Sequence, residues 1–500
     1  MRSLSLRRFP KIMLGIATVL LGGSAIAAGG PGAPGLGDPY YPNDGNGGYD
    51  VDHYDLRLTY RPSSDQLSGT TTIKATAVQD LTAFNLDFAL SVSAINVNGA
   101  AARFTRSGAE YTVTPAAELP ASKPFTVEVT YSDVPSRVSG STWVKTSNGA
   151  LAVNEPHIAR YWFPSSDHPR DKATFDVSIA VPDDGTTVVS NGAFLGSAVE
   201  TGGLKRWNWR NVNPTATYLT FVTIGKFTVN HATAGGRPYI TAYASNVTGA
   251  TLTNARNSLN RTPDIIDYES SVFGPYPFAA IGGVVVPNLS FALEVQTRPV
   301  YGTAFFGSRA NTSVVAHENA HQWWGDNVSG DTWRNIWLHE GFATYAEWLW
   351  SEHNGTGTAQ QIANSTYNSR PASSSFWQVV VANPGAGNEF NAAIYDRGGL
   401  AVHALRVAVG DTAFFNILKT WQSERKYSTG TIEQFIATSE RVSGKSLQAV
   451  FNTWLFTRGR PASPPGAAFD AEAFAAEPEP PAFAEIQETH RLLAEQHHAH

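Results

Sequence analysis

Cysteine is absent from the 500 residues of the chain, and only 2 methionines occur. Disulfides, Cys-ligated zinc, iron–sulfur clusters and thiol nucleophiles are therefore excluded, and any metal must be held by His, Asp or Glu. Charge is also sparse. Asp, Glu, Lys and Arg make up 16% of the residues, too few for a disordered or coiled-coil chain. Lys and Arg number 36 against 42 Asp and Glu, a formal charge of −6 with no long basic run, so no nucleic acid is expected as a partner. What is present is 42% hydrophobic and 11% aromatic residues, enough for a large core. The length suits two to four domains.

The first residues read as an address. Arg2, Arg7, Arg8 and Lys11 form a basic stretch, Ile12 to Leu21 is a short apolar run, and Ala25-Ile26-Ala27 is a small-x-small cleavage pattern. The apolar run is shorter than the roughly 20 residues a spanning helix needs, and no later segment is long and apolar enough either. We therefore expect a signal peptide over residues 1–28, no stable membrane insertion after its removal, and a secreted or periplasmic bacterial protein. The Arg7-Arg8 pair hints at twin-arginine export, but Pro10 and the poor surrounding match favour the general secretory route.

Residues 29–48, rich in Gly, Pro and Asn, read as a flexible lead-in. A β-domain is expected over residues 49–231. Tyr54, Leu56, Leu58 and Tyr60 alternate with polar residues at the period of a half-buried strand, and Ile95-Asn96-Val97 runs into the turn pair Asn98-Gly99. From residue 232 to 461 helical patterns dominate, over Leu252 to Ser270, Thr312 to Gly325, Glu340 to His353 and Arg397 to Val409, with a hairpin-like stretch from Ile281 to Tyr301. Residues 462–500 turn to Pro, Ala and Glu and read as a disordered tail, with His497, His498 and His500 at a solvated end. The fold class expected is α+β, an antiparallel β-domain followed by a mainly helical domain.

One constellation carries chemistry. In His317-Glu318-Asn319-Ala320-His321 the two imidazoles are four residues apart and share one face of a helix, so both can reach one cation. A catalytic zinc takes three protein ligands and leaves a position open. Glu340, separated from His321 by 18 residues, can supply the third from a following helix. A His-Glu-x-x-His match arises by chance in about one chain in a hundred, and a Glu at one fixed downstream spacing lowers that about another 20-fold. His339 would project from a different face than Glu340 and is assigned to packing or support. Trp323, Trp324, Trp333 and Trp337 lie near the site in sequence and are read mostly as core.

The run His317-Glu318-Asn319-Ala320-His321-Gln322-Trp323-Trp324-Gly325-Asp326, followed by Trp337-Leu338-His339-Glu340-Gly341-Phe342-Ala343, resembles the gluzincin zinc aminopeptidase family, which includes alanyl aminopeptidases and leukotriene hydrolase. The resemblance extends to Ala159-Arg160-Tyr161-Trp162-Phe163-Pro164 and to Val189-Ser190-Asn191-Gly192, and covers roughly Tyr49 to Pro461. It implies a thermolysin-like catalytic domain and one zinc ion on His317, His321 and Glu340, with Glu318 as general base. It further implies that Tyr395, in Tyr395-Asp396-Arg397-Gly398, supplies a catalytic phenol. Glu294 and Ala292, in Phe291-Ala292-Leu293-Glu294-Val295, fall where the family holds the substrate's α-ammonium; only Ala and Glu of that motif are kept. Glu155, in Asn154-Glu155-Pro156, falls at a second amine-binding position, with Val153 where the family usually has Gln. The implied activity is hydrolysis of the N-terminal residue from peptides with a free N-terminus. The oligomeric state and the preferred residue are not legible in the sequence.

Overall fold

The computed structural model describes residues 29–466 and 478–495. The expected signal peptide over residues 1–28, and His497, His498 and His500, lie outside the described residues.

The β-domain is built on an eight-stranded sheet. Its strands are β1 (Tyr49–Arg61), β2 (Gln66–Ala77), β3 (Val92–Val97), β4 (Ala100–Ala101), β5 (Pro124–Asp133), β6 (Ala173–Pro182), β7 (Ala193–Glu200) and β8 (Leu204–Thr215), in the order β7-β8-β6-β1-β2-β5-β3-β4. Tyr54, Leu56, Leu58 and Tyr60 on β1 are all fully buried, as their period-two spacing requires. Asn98 and Gly99 both adopt positive φ and join β3 to β4, the backbone that a two-residue hairpin of matching twist demands. The sheet is antiparallel except where β6 runs parallel to β1, from Thr174 opposite His53 to Ala180 opposite Thr59. A smaller sheet pairs Ala150–Ala152 with Val222–Gly225. It brings two short segments toward the second domain: residues 153–155 just after one strand, and the turn Thr217–Leu219 just before the other.

The second domain opens with a five-stranded sheet, β9 (Phe227–Ala234), β10 (Arg237–Ala244), β11 (Ile281–Val286), β12 (Ala292–Leu293) and β13 (Val300–Gly302), in the order β9-β10-β11-β13-β12. The expected domain boundary at residues 231/232 therefore cuts β9 in half; the chain enters the second domain's sheet at Phe227. The alternation that marks β9 as a strand is blind to which sheet it joins. Within the stretch from Ile281 to Tyr301, expected to be hairpin-like, the hairpin is the short pair β12–β13, since β11 runs parallel to β13.

Helices follow: α1 (Gly249–Leu259), α2 (Thr262–Phe273), α3 (Thr312–Ala320), α4 (Trp337–His353), α5 (Ala359–Asn368), α6 (Ala392–Val409), α7 (Asp411–Glu424), α8 (Ile432–Ser443) and α9 (Gln448–Phe451). The single helix expected over Leu252 to Ser270 is two, because Pro263, lacking an N–H, sits in the first turn of a new helix. Helices α4 and α6 cross at a glycine contact. A Cβ on Gly398 would stand 3.1 Å from the Cα of Gly341 and 2.9 Å from Cδ1 of Trp337. Both glycines belong to the motifs that carry the site, and their bareness lets the helices bearing Glu340 and Tyr395 lie against each other. Trp323, Trp324, Trp333 and Trp337 are all buried, as expected. Among the described residues, no helix is long and apolar enough to cross a membrane.

Two expectations at the ends fail. Residues 29–48 are not a loose lead-in. Asp38 is buried, accepts from the backbone N–H of Trp333 (2.8 Å) and pairs with His168 (3.2 Å), so this segment straps the two domains together. The Tyr40 hydroxyl donates to Asn383 Oδ1 across 2.7 Å. Nor are residues 462–500 disordered throughout, since Phe483–Glu495 form a helix, α10, that buries Phe483, Ile486, Leu492 and Leu493. Four apolar residues in a Pro, Ala and Glu background are too few to register in composition, but their helical spacing puts them on one side.

Candidate active site

Helix α3 starts at Asn311, whose side chain accepts from the N–H of Val314 (3.0 Å), the usual device for satisfying a first-turn donor. Its last turn carries His317 and Glu318, and His321 is the C-cap residue directly after it; all three are buried. Helix α4 runs beside it and presents Glu340 from its own first turn. Glu340 Oε2 lies 3.3 Å from His317 Nε2 and 3.5 Å from His321 Nε2. The other ring nitrogens are engaged: His317 Nδ1 donates to Glu347 Oε1 (2.8 Å) and His321 Nδ1 to the carbonyl of Trp324 (2.9 Å). Both Nε2 atoms are thereby turned toward Glu340.

Three donors within 4.8 Å of one another, two neutral-capable imidazoles and one carboxylate, are a set that would hold a zinc ion. Burial opposes ionisation of Glu340, but His321 and His317 outweigh it and hold its carboxyl far below the usual range. Glu340 is thus ionised, while the same contacts raise the pKa of His317 and His321, so a cation bound here displaces protons from the two imidazoles. His339 is the neighbour that takes no part: its Nε2 accepts from the N–H of Gly330 (2.7 Å), and burial, then His321, lower its pKa to about 3.

The remaining residues singled out in the sequence converge on this point from three other segments. Glu294 follows β12, directly after Ala292 and Leu293, with its backbone carbonyl fixed by Gln322 Nε2 (2.8 Å). Glu155 reaches in from the β-domain with its Oε2 buried and unpartnered. Burial raises the pKa of Glu155 well above the carboxylate range, and Glu294, Glu340 and Glu318 add to this. Glu318 is raised to about 8, first by burial, while His317 and His321 oppose the rise. Tyr395, in the first turn of α6, places its ring 5.9 Å from that of His317, and burial followed by Glu340, Glu155, Glu318 and Glu294 keeps its hydroxyl protonated. Three carboxylates, Glu294, Glu155 and Glu318, and one phenol therefore face one small volume beside the metal donors. A cation is what such a cluster selects.

Three residues of the site were not found from the sequence. Tyr218, in the 217–219 turn, donates its hydroxyl to Glu294 Oε1 (3.1 Å) and packs edge-on against Trp333. No local pattern marks it. Glu347 supports His317 and lies seven residues after Glu340, two helical turns on the same face, a signal that was available. His490 of α10 bonds to Glu347, and nothing around it in sequence suggests so.

A β-rich domain, a helical domain and a His-Glu-x-x-His helix completed by a carboxylate from the next helix define a two-domain gluzincin metallopeptidase architecture. The comparisons with known proteins agree. The Peptidase M1 N-terminal domain model matches residues 50–219, the Peptidase family M1 domain model matches residues 258–454, and the chain belongs to peptidase family M1. It is similar to aminopeptidase M1-D of Oryza sativa subsp. japonica, 26% identical over 343 residues, and to aminopeptidase N of Lactococcus lactis subsp. lactis, 28% identical over 333 residues. These matches take in 63% and 61% of this chain but only 38% of either relative. Among solved structures, an M1 zinc metallopeptidase from Deinococcus radiodurans is 28% identical, with a TM-score of 0.78 over 87% of this chain and 100% of that one. A mutant M1 zinc metallopeptidase from the same organism, bound to a Tyr-Ser-Ala substrate, gives 28% identity and a TM-score of 0.77, over 87% of this chain and 99% of that one.

Proposed function

We propose that the chain is a zinc-dependent aminopeptidase that removes the N-terminal residue from peptides. The observation that carries this reading is a pair beside the metal donors: Glu294, buried, and Glu155, half-buried with its Oε2 buried and unpartnered, neither with a basic ion-pair partner of its own among the described residues. An uncompensated buried carboxylate is costly, and two at one point call for a cationic ligand. The α-ammonium of a peptide is such a ligand, and charge-assisted bonds to it would set the first peptide bond over the His317–His321–Glu340 set. A blocked amine would leave both carboxylates unpaired, which makes the site selective for a free N-terminus.

A zinc ion held by His317, His321 and Glu340 would supply Lewis acidity toward the scissile carbonyl and the attacking water. The protein does the rest. Glu318 takes the proton from the attacking water and returns it to the departing amine. Tyr395 keeps its proton and donates to the oxygen on which negative charge grows, a contact worth most in the transition state. Ala292 and the strand β12 fix the backbone that carries Glu294.

Incubating one peptide in free and N-acetylated form and following both by mass spectrometry tests the reading. Stepwise loss of N-terminal residues from the free form alone supports it; internal cleavage of both forms overturns it in favour of an endopeptidase. Export of the chain is proposed on residues 1–28 alone, and N-terminal sequencing of protein recovered from the periplasm or medium, starting near Gly29, would bear it out.

A further inference from the structure

Helix α10 is anchored by more than apolar contact. Glu485 Oε1 accepts from the N–H groups of Thr312 (3.1 Å) and Ser313 (3.2 Å), two first-turn donors of α3. Asn311, the residue that caps α3, donates through Nδ2 to Thr489 Oγ1 (3.0 Å). These bonds dock α10 on the helix that carries His317 and His321.

His490, one residue further on, then enters between α4 and α6. Its Nε2 lies 2.8 Å from Glu347 Oε1 and its Nδ1 2.7 Å from Asp396 Oδ1, with all three side chains buried. Glu347 Oε1 is the same atom that accepts from His317 Nδ1. Asp396 follows Tyr395 directly on α6, and its other oxygen accepts from Arg370 Nη2 (3.0 Å). The His490 ring stands 6.3 Å from that of His317 and 6.2 Å from that of Tyr395. A continuous hydrogen-bonded chain thus runs from the metal ligand through Glu347 and His490 to the neighbour of the phenol. With both ring nitrogens facing carboxylates, His490 donates twice and bridges two buried negative charges on two different helices. Without it, Glu347 and Asp396 would face a gap, and the hold of Glu347 on His317 would loosen.

We propose that His490 is a positioning residue of the metal site, joining Glu347 behind His317 to Asp396 beside Tyr395, so that the C-terminal helix is a working part of the catalytic domain. The proposal rests on the aminopeptidase reading for its rate effect but not for its effect on the metal.

The test compares full-length His490→Ala, His490→Gln and, as a control on the exposed side of the same helix, Glu488→Ala. Two quantities are read: kcat and KM on an aminoacyl amide, and the zinc dissociation constant by chelator competition. His490→Ala is expected to lower kcat about 10–100-fold with KM nearly unchanged and to weaken zinc by about the same factor, the usual size of an outer-shell loss. His490→Gln, whose amide retains two N–H donors, is expected to recover part of both, and Glu488→Ala to change neither. Wild-type kcat and zinc affinity in both His490 variants would overturn the proposal, as would equal losses in Glu488→Ala. Should His490→Ala fail to fold, the zinc affinity of His490→Gln decides, with a wild-type value overturning the proposal. Zinc affinity needs no substrate, so it still tests His490 if the unaltered protein fails to release N-terminal residues.

Discussion

Tyr218 of the β-domain donates its hydroxyl to Glu294 of the catalytic domain across 3.1 Å, so the carboxylate proposed to hold the substrate's amine is oriented from the opposite side of the domain junction. Tyr218→Phe removes that bond and leaves Glu294 freer and harder to keep ionised. A hydrogen bond to a charged group contributes about 1.5–3 kcal/mol. We expect KM for a free-amine substrate to rise about 10-fold or more with a smaller fall in kcat. Steady-state kinetics on an aminoacyl amide checks this, and an unchanged KM would remove Glu294 from the amine site.

Glu318→Gln keeps the shape of the last turn of α3 but cannot take a proton. Turnover should fall by about 10²–10⁴-fold while zinc stays at one ion per chain, measured by elemental analysis of the purified variant. Dialysis of the unaltered protein against a chelator should abolish turnover, lower Tm and be reversed by added zinc, because an ion that binds only the folded chain stabilises it. A Glu318→Gln protein with full activity would sink the assignment of the base.

Gly398→Ala tests the crossing of α4 and α6. The added methyl would sit 2.9 Å from Trp337 Cδ1, with the backbone of Gly341 at 3.1 Å behind it. The helices must part, at a cost of about 1–3 kcal/mol. Because Glu340 and Tyr395 ride on these helices, kcat should drop together with Tm; a variant with wild-type values of both would show the crossing to be slack.

The docking of α10 should depend on pH. Burial opposes the charged form of His490, but Glu347 and Asp396 overcome it and raise its pKa to about 10. The ordinary value in an unfolded chain is about 6.5. The folded state therefore holds the extra proton between these values, and the stabilisation is complete below about pH 6.5 and lost as pH rises through about 10. The difference in Tm between the unaltered protein and His490→Gln should shrink from about pH 6 to about pH 10, by calorimetry. A gap that widened with pH would contradict the charged bridge.

Much of the site could be read along the chain because its central part is local. His317, Glu318 and His321 are fixed relative to one another by a single helical turn, and the spacer to Glu340 is just long enough for the next helix to begin. The resemblance then pointed to Glu294, Glu155 and Tyr395, which the structure brings to the same volume. Tyr218 and His490 were invisible, because nothing in their neighbourhoods distinguishes a polar contact made 76 or 143 residues away from a solvated side chain.

The sequence by itself determined the periodic and the covalently local: β1 by its alternation, the Asn98-Gly99 turn by its backbone demands, the metal face of α3 by the four-residue spacing, and the exclusion of thiol chemistry by composition. Tertiary structure alone decided the partners. It assigned β9 to the catalytic sheet, turned residues 29–48 into a strap through Asp38, and folded residues 483–495 back onto the metal helix. The physical reason is common to all three. Strand pairing, domain contact and the burial of a charged bridge are settled by which surfaces meet, and that depends on the whole chain rather than on any window of it.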